Sequence, residues 1–195
     1  MKIQLIVVMA VVMLFISACT KHHKTWKNDK TPYLTKECRK ELSLGKEIKG
    51  EKIDKIVVHK KERRMYTYSK GKEIGAFRIS MGKNWDKGNK ERMGDYRTPE
   101  GSYRIVRKKC DRRLYKSLMI SYPNRADKVR ARKKGLNPGG YITIHGQPKW
   151  NAKGVGDDYT LANNWTEGCM AVSNEAMDTL WQAVANGVKI EITKE

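Results

Sequence analysis

Three short runs of β-branched and aromatic residues, at 56–59, 64–68 and 74–80, restrict this chain more than any other feature, because Lys70-Gly71-Lys72 sits between the last two. Such side chains suit a pleated, half-buried surface, and a glycine between two runs gives the backbone freedom a tight turn needs. The pattern predicts a β-meander. Further strands are expected at 102–106, 118–122, 141–144 and 170–172, and Val188, Ile190 and Ile192 alternate as a closing strand. Helical spacing is confined to a few places. Met177, Leu180, Trp181 and Val184 share one face, Ser173 or Asn174 can cap that helix, Glu175 suits its first turn, and Gly187 is the expected stop. The basic run 125–134 reads as a short helix or a loop, 34–48 as a short helix packed on the domain, and 81–95 as a long surface loop. The fold class is therefore α+β, mainly β with α. With 195 residues, 39% of them hydrophobic, the chain can build one sizeable core and one domain.

The N-terminal 50 residues read differently. Lys2 precedes an apolar run to Phe15 and then Ile16-Ser17-Ala18-Cys19, the charged start, apolar middle and small-residue end of a secretory signal. That run is shorter than the roughly 20 residues a spanning helix prefers. The ending resembles a bacterial lipobox, which implies lipidation of Cys19 as the first mature residue, and Thr20 after it suggests the outer membrane facing the periplasm. Residues 1–18 are thus read as a lipoprotein signal peptide, 19–50 as a lipid-anchored basic tether and 51–195 as the catalytic domain. A lysine-rich stretch without apolar periodicity cannot offset its ordering entropy, and its extended reach is at most on the order of 100 Å. His22 and His23 lack the clustered ligands of a metal site.

The residues 141–174 hold the chemistry. Tyr141, Ile142, Thr143 and Ile144 suit a strand that Gly146 and Pro148 end, which places His145 at a strand terminus. Cys169 follows Gly168 and precedes another short apolar run. An unassisted thiol has a pKa of about 8.5, so an attacking cysteine needs an imidazole or another positive group nearby. His145 is the natural base. Gly168 is expected to clear space for a substrate carbonyl and to leave backbone N–H groups for an oxyanion. Taken alone, a Gly-Cys pair is more often a small buried packing unit.

Ile144-His145-Gly146 followed by Thr166-Glu167-Gly168-Cys169 resembles the signature of the YkuD-type L,D-transpeptidase catalytic domain. Gly94-Asp95-Tyr96-Arg97-Thr98-Pro99-Glu100-Gly101 is similar to a further segment of that family, as are Ser121-Tyr122-Pro123-Asn124 and Asn137-Pro138-Gly139-Gly140. The resemblance covers about residues 53–192 in the expected order. It implies a sandwich or barrel of mixed strands with a C-terminal helix packed on it. It also implies Cys169 and His145 as catalytic residues, Gly168, Gly146 and Thr166 as oxyanion or cleft residues, and Tyr122, Asn124 and Arg97 as candidates for substrate contact. Three departures stand out: Glu167 where many members have histidine, Ala171 where many have arginine, and an interval of 24 residues from His145 to Cys169.

The expected activity is attack by Cys169 on peptidoglycan stem peptides at the L-centre of the diamino acid, through a thioester, with no metal or organic cofactor. Its rivals are an amidase that hydrolyses the link between wall and lipoprotein, and a wall-binding lipoprotein without activity. The expected partners are stem peptides, a wall-linked lipoprotein and a membrane reached through the lipid anchor. A net charge of +20 would ordinarily raise nucleic acid as a partner, but export argues against it and no nucleic-acid motif accompanies the lysines. Of the four cysteines, Cys38 and Cys110 can pair in an oxidising compartment and leave Cys169 free, although sequence does not establish that bond.

Overall fold

A computed structural model describes residues 35–43 and 51–195. The expected signal segment, Cys19 and the remainder of the expected tether lie outside these described residues. Within them the order is α1 (Thr35–Ser43), β1 (Ile53–His59), β2 (Arg64–Ser69), β3 (Lys72–Arg78), β4 (Gly101–Asp111), β5 (Tyr115–Ile120), α2 (Arg125–Lys133) and β6 (Thr143–His145). A 3-10 turn (Lys149–Asn151), α3 (Asp157–Thr160), β7 (Met170–Ala171), α4 (Asn174–Ala183) and β8 (Val184–Thr193) follow.

The strands form one mixed sheet in the order β3-β2-β1-β8-β4-β5-β6-β7. Lys70 and Gly71 both take positive φ, the twist-matched hairpin geometry, so β2 and β3 pair antiparallel as the meander pattern expects. Alternation then buries Ile56, Val58 and Met65 on one face. The long strand β4 joins the two halves of the sheet. Its Gly101–Arg104 end pairs with β8, and from Ile105 onward it pairs with β5 across a register shift between Ile105 and Arg107. That irregularity bends the sheet. Isolated bridges from Ser80 to Ala171 and from Gly82 to Thr166 then bring the chain after β3 against β7, curling the sheet back toward its own beginning.

The core is filled by Ile105, Leu118, Ile144, Met170 and Ile190 from the sheet and by Met177 and Leu180 from α4. Each contributes about 1.5–3 kcal/mol by leaving water. Ser173 caps α4, its hydroxyl accepting from the Ala176 N–H at 3.1 Å. Gly187, however, does not stop this helix. The helix ends at Ala183, and Val184, fully buried, already pairs with Ile53 of β1, while Gly187 lies inside β8 at positive φ. A long-range parallel pairing decides the boundary that local glycine chemistry was expected to set. The run 125–134 resolves as the helix α2, closed by a reciprocal capping box between Asn124 and Asp127.

Helix α1 is the short helix expected within 34–48 and packed on the domain: the Cys38–Cys110 disulfide, the pairing open to it in sequence, and Glu41, 3.1 Å from Lys116, fasten it to the sheet. Lys116 also meets Asp178 of α4 at 2.7 Å, so one buried ammonium joins α1, β5 and α4. The disulfide spans 72 residues, and a bond of this kind typically stabilises by about 2–4 kcal/mol, chiefly by constraining the unfolded chain. Cys110→Ser should therefore lower stability by about 2–4 kcal/mol, read as a lower urea midpoint, and adding reductant to the parent protein should reproduce the shift.

Candidate active site

Strands β6 and β7 run parallel, with Ile144 opposite Met170 and His145 opposite Ala171. Ile144 and Met170 both point into the core, so the two-residue period sends Thr143, His145 and Cys169 to the other face. Cys169 thereby lands beside Thr143. The Thr143 hydroxyl donates to its sulfur at 3.5 Å, and the sulfur in turn lies 3.7 Å from the Tyr141 carbonyl oxygen.

His145 is buried, and its Nδ1 lies 2.8 Å from the Gly146 carbonyl oxygen. A carbonyl can only accept, so Nδ1 carries the proton and Nε2 of the neutral ring is left as the basic nitrogen. Trp165 packs its ring edgewise against the imidazole, with centroids 5.7 Å apart, and is itself held by its indole N–H donating to Thr160 O at 3.1 Å. Burial pushes the Cys169 thiol up, but a hydrogen bond with His145, the charge of that ring and hydrogen bonds from Thr143 outweigh it and hold the thiol below its ordinary value. Among the described residues Cys169 is the free cysteine, and it remains partly exposed.

The glycines around the pair answer to neighbouring backbone. A side chain at Gly168 would stand 2.6 Å from the Arg97 carbonyl oxygen, and φ is +129° there. The space is cleared for the protein's own chain rather than for substrate. The Gly168 N–H is likewise committed, donating to Thr166 Oγ1 at 3.2 Å, while that hydroxyl donates to the Cys169 carbonyl at 2.7 Å. This corrects the expectation that the Gly168 N–H is open to an oxyanion. A Cβ on Gly146 would lie 2.5 Å from Asn174 Oδ1, so this glycine keeps the His145 acceptor in place.

Behind Gly168 stands the segment 81–97, whose first part was expected to be a long surface loop carrying Arg97, Thr98 and Pro99 toward the cleft. Its centre is the buried Asp95 carboxylate, which receives the Lys90 ammonium at 2.7 Å and the N–H groups of Glu91, Arg92 and Arg97 at 2.8, 3.0 and 3.1 Å. Burial raises the Asp95 pKa, but these hydrogen bonds more than compensate and hold it below the usual carboxylate value. So ordered, the loop presses Gly82 so close that a Cβ there would collide with the Tyr96 carbonyl oxygen and stand 3.1 Å from Gly168 Cα. Fully buried Lys60 pins the next segment, bonding Glu100 at 2.6 Å and Thr98 O at 3.2 Å.

Cys169 and His145 open onto a cleft of about 700 Å³ whose lining includes Met93, Tyr96, Arg113, Tyr141, Trp165 and Glu167. Thr166 lies on its wall. The three expected substrate contacts are absent from the lining. Arg97 donates from its guanidinium to Asn89 O, Tyr122 is buried with its hydroxyl donating to Pro138 O at 3.0 Å, and Asn124 caps α2. Thr143, Trp165, Gly82 and the Lys90–Asp95 pair escaped the sequence reading. Only the register of β6 and β7 could have flagged Thr143. Among the described residues no three His, Cys, Asp or Glu side chains are grouped to hold a metal ion.

A thiol of depressed pKa beside a histidine of fixed tautomer, at the strand ends of a mixed sheet, is an arrangement competent for nucleophilic acyl chemistry. The comparisons agree with that class. The YkuD family, described as the L,D-transpeptidase catalytic domain, matches residues 53–192. The chain belongs to this family. It is 31% identical over 103 residues to the "Putative L,D-transpeptidase YafK" of Escherichia coli strain K12, covering 52% of this chain and 33% of that protein. The helical cell shape determining protein Pgp2 of Campylobacter jejuni superposes with a TM-score of 0.56 at 27% identity, over 74% of this chain and 49% of its own. Bd1075 of Bdellovibrio bacteriovorus, with a TM-score of 0.53 at 22% identity over 74% and 49% of the two chains, shares the fold. The chain thus spans about a third of the curated relative and half of the solved ones.

Because His145 lowers the Cys169 pKa, removing it should move the thiol upward. The iodoacetamide reaction of Cys169, followed against pH by mass spectrometry, should have its midpoint below that of a free thiol. His145→Ala should raise that midpoint and slow alkylation at pH 7, and Thr143→Val should do the same to a smaller degree.

Proposed function

We propose that this protein is a peptidoglycan-remodelling cysteine acyltransferase, an L,D-transpeptidase, with Cys169 as nucleophile and His145 as its base. The observation that carries this reading is the pairing of a depressed thiol pKa with a histidine whose Nδ1 is tied to Gly146 O, which leaves Nε2 to take the thiol proton. The sulfur attacks the amide carbonyl that follows the L-centre of a stem-peptide diamino acid. A carbon–sulfur bond forms, and the carbonyl electrons move to oxygen. With the Gly168 N–H already occupied, the Cys169 N–H is the backbone donor assigned to that oxyanion. As the tetrahedral centre collapses, the carbon–nitrogen bond breaks and the imidazolium proton passes to the leaving amine, giving a thioester. An amine or water then attacks the thioester, gives its proton to His145 and releases the thiolate.

The acceptor sets the outcome. Another stem's side-chain amine gives a cross-link, a lipoprotein lysine gives anchoring, and water gives hydrolysis. The Cys38–Cys110 disulfide supports an exported protein, since such bonds persist in oxidising compartments. Lipid anchoring through Cys19 and an outer-membrane position facing the periplasm complete the reading. A net charge of +20 would draw the chain toward anionic headgroups and wall carboxylates, with a salt-sensitive attraction.

Purified sacculi incubated with the protein should yield new cross-links detectable by mass spectrometry. Release of lipoprotein instead would assign hydrolysis. Cys169→Ala should abolish every change, and His145→Ala should slow it by about 10²–10⁴-fold. Wall products unchanged by Cys169→Ala would overturn the assignment.

A further inference from the structure

Besides His145, the charged side chains lining the cleft are Lys90, Arg113 and Glu167. Lys90 is spent within the protein: it is buried and bonded to Asp95 and to the Arg92 carbonyl. Arg113 and Glu167 are different. Both are exposed, and among the described residues neither the guanidinium nor the carboxylate has a hydrogen bond or ion pair. They do not pair with each other. The two are also held independently. Arg113 sits on the β4–β5 turn, where Asp111 Oδ1 accepts from the N–H groups of Arg113 and Leu114 at 2.9 and 3.1 Å. Glu167 stands in the ordered turn between Thr166 and Gly168, beside the nucleophile. The lining also offers the apolar surfaces of Leu114, Met93 and Tyr141, and the last two are 63% and 81% exposed.

A cleft that, among the described residues, offers the cation of Arg113, the anion of Glu167 and apolar surface has a chemical complement. It is a ligand with a short methylene chain ending in a carbon that bears both an ammonium and a carboxylate. A diamino diacid in a stem peptide has that form: one centre lies in the peptide, and three methylenes lead to a free amino-acid head. We propose that Arg113 and Glu167 form a specificity subsite that recognises this zwitterionic head, Arg113 taking the carboxylate and Glu167 the ammonium. The guanidinium's planar fork matches a carboxylate in two parallel hydrogen bonds, and Glu167 can accept from the ammonium. The inference rests on the stem-peptide reading above and adds which residues choose the diamino acid. It also gives the cleft a cation although Ala171 stands where many family members carry arginine.

The test is binding, so that turnover does not enter. The full chain carrying Cys169→Ala is titrated calorimetrically with three synthetic stem tetrapeptides. One has meso-diaminopimelate at the third position, one has lysine, which lacks the far carboxylate, and one has diaminopimelate acetylated on its far amine. The first should bind at least about tenfold more tightly than either other, the scale of a hydrogen bond to a charged group. Adding Arg113→Ala should erase the preference over lysine and keep the preference over the acetylated peptide. Glu167→Gln should do the reverse. Equal binding of all three peptides, or variants that weaken all three alike, would overturn the subsite while leaving the stem-peptide reading in place. Failure of all three to bind would overturn both.

Discussion

The parallel pairing of β6 with β7 is the constraint on which the site depends. It covers very few residues, yet it fixes register, and register fixes facing. With Ile144 opposite Met170 in the core, Thr143 and Cys169 must lie side by side on the opposite face, and His145 must follow one step along. A slip of one residue would turn the thiol into the core and Met170 into the cleft. Because both residues of the inward pair are fully buried, such a slip would lose about 1.5–3 kcal/mol for each apolar side chain exposed. The hydrophobic core therefore specifies the chemistry's geometry. Ser80 adds to this from the other side, exchanging backbone hydrogen bonds of 2.8 and 2.9 Å with Ala171.

A second consequence concerns the turn that presents Cys169. Its shape comes from three backbones packed closer than side chains allow: Gly82 on Tyr96, Gly168 on Arg97, and Gly82 on Gly168. Such contact requires the 81–97 segment to be ordered, although it has no regular secondary structure. The Asp95 carboxylate supplies that order by gathering three N–H groups and one ammonium. Removing it would leave the buried Lys90 charge uncompensated, a costlier event than the pair's net contribution. The polar network thus helps to place Cys169 by ordering the backbone packed against its turn.

The legible parts of this fold were those decided locally. Residues 56–80 announced a meander because alternation and a Gly-centred turn are local signals, and Ser173 announced its cap for the same reason. His145 and Cys169 stood out through residue type and through resemblance. What sequence could not supply was long-range. The stop of α4 was assigned to Gly187, whereas the pairing of Val184 with β1 decides it. The loop 81–95 looked superficial because its organising carboxylate bonds mainly to backbone, which leaves no pattern in residue types. Arg97, Tyr122 and Asn124 were expected near substrate because they sit in family-like segments. In the fold they bond instead to Asn89, Pro138 and the α2 backbone, partners that residue type alone does not reveal.

The same distinction bears on the departures at Glu167 and Ala171. Ala171 is fully buried and lies opposite His145 in the ladder, so its small side chain leaves no cation beside the imidazole. A guanidinium there would be held by β7, the last strand in the sheet order. Arg113 is held instead by the β4–β5 turn, where it lines the cleft just past the end of the strand that carries Cys110 and its link to α1. Placing the positive charge on a turn separates recognition from the sulfur–imidazole pair in structural terms. The surroundings of Cys169 are set by core register, whereas Arg113 stands on a turn between two strands.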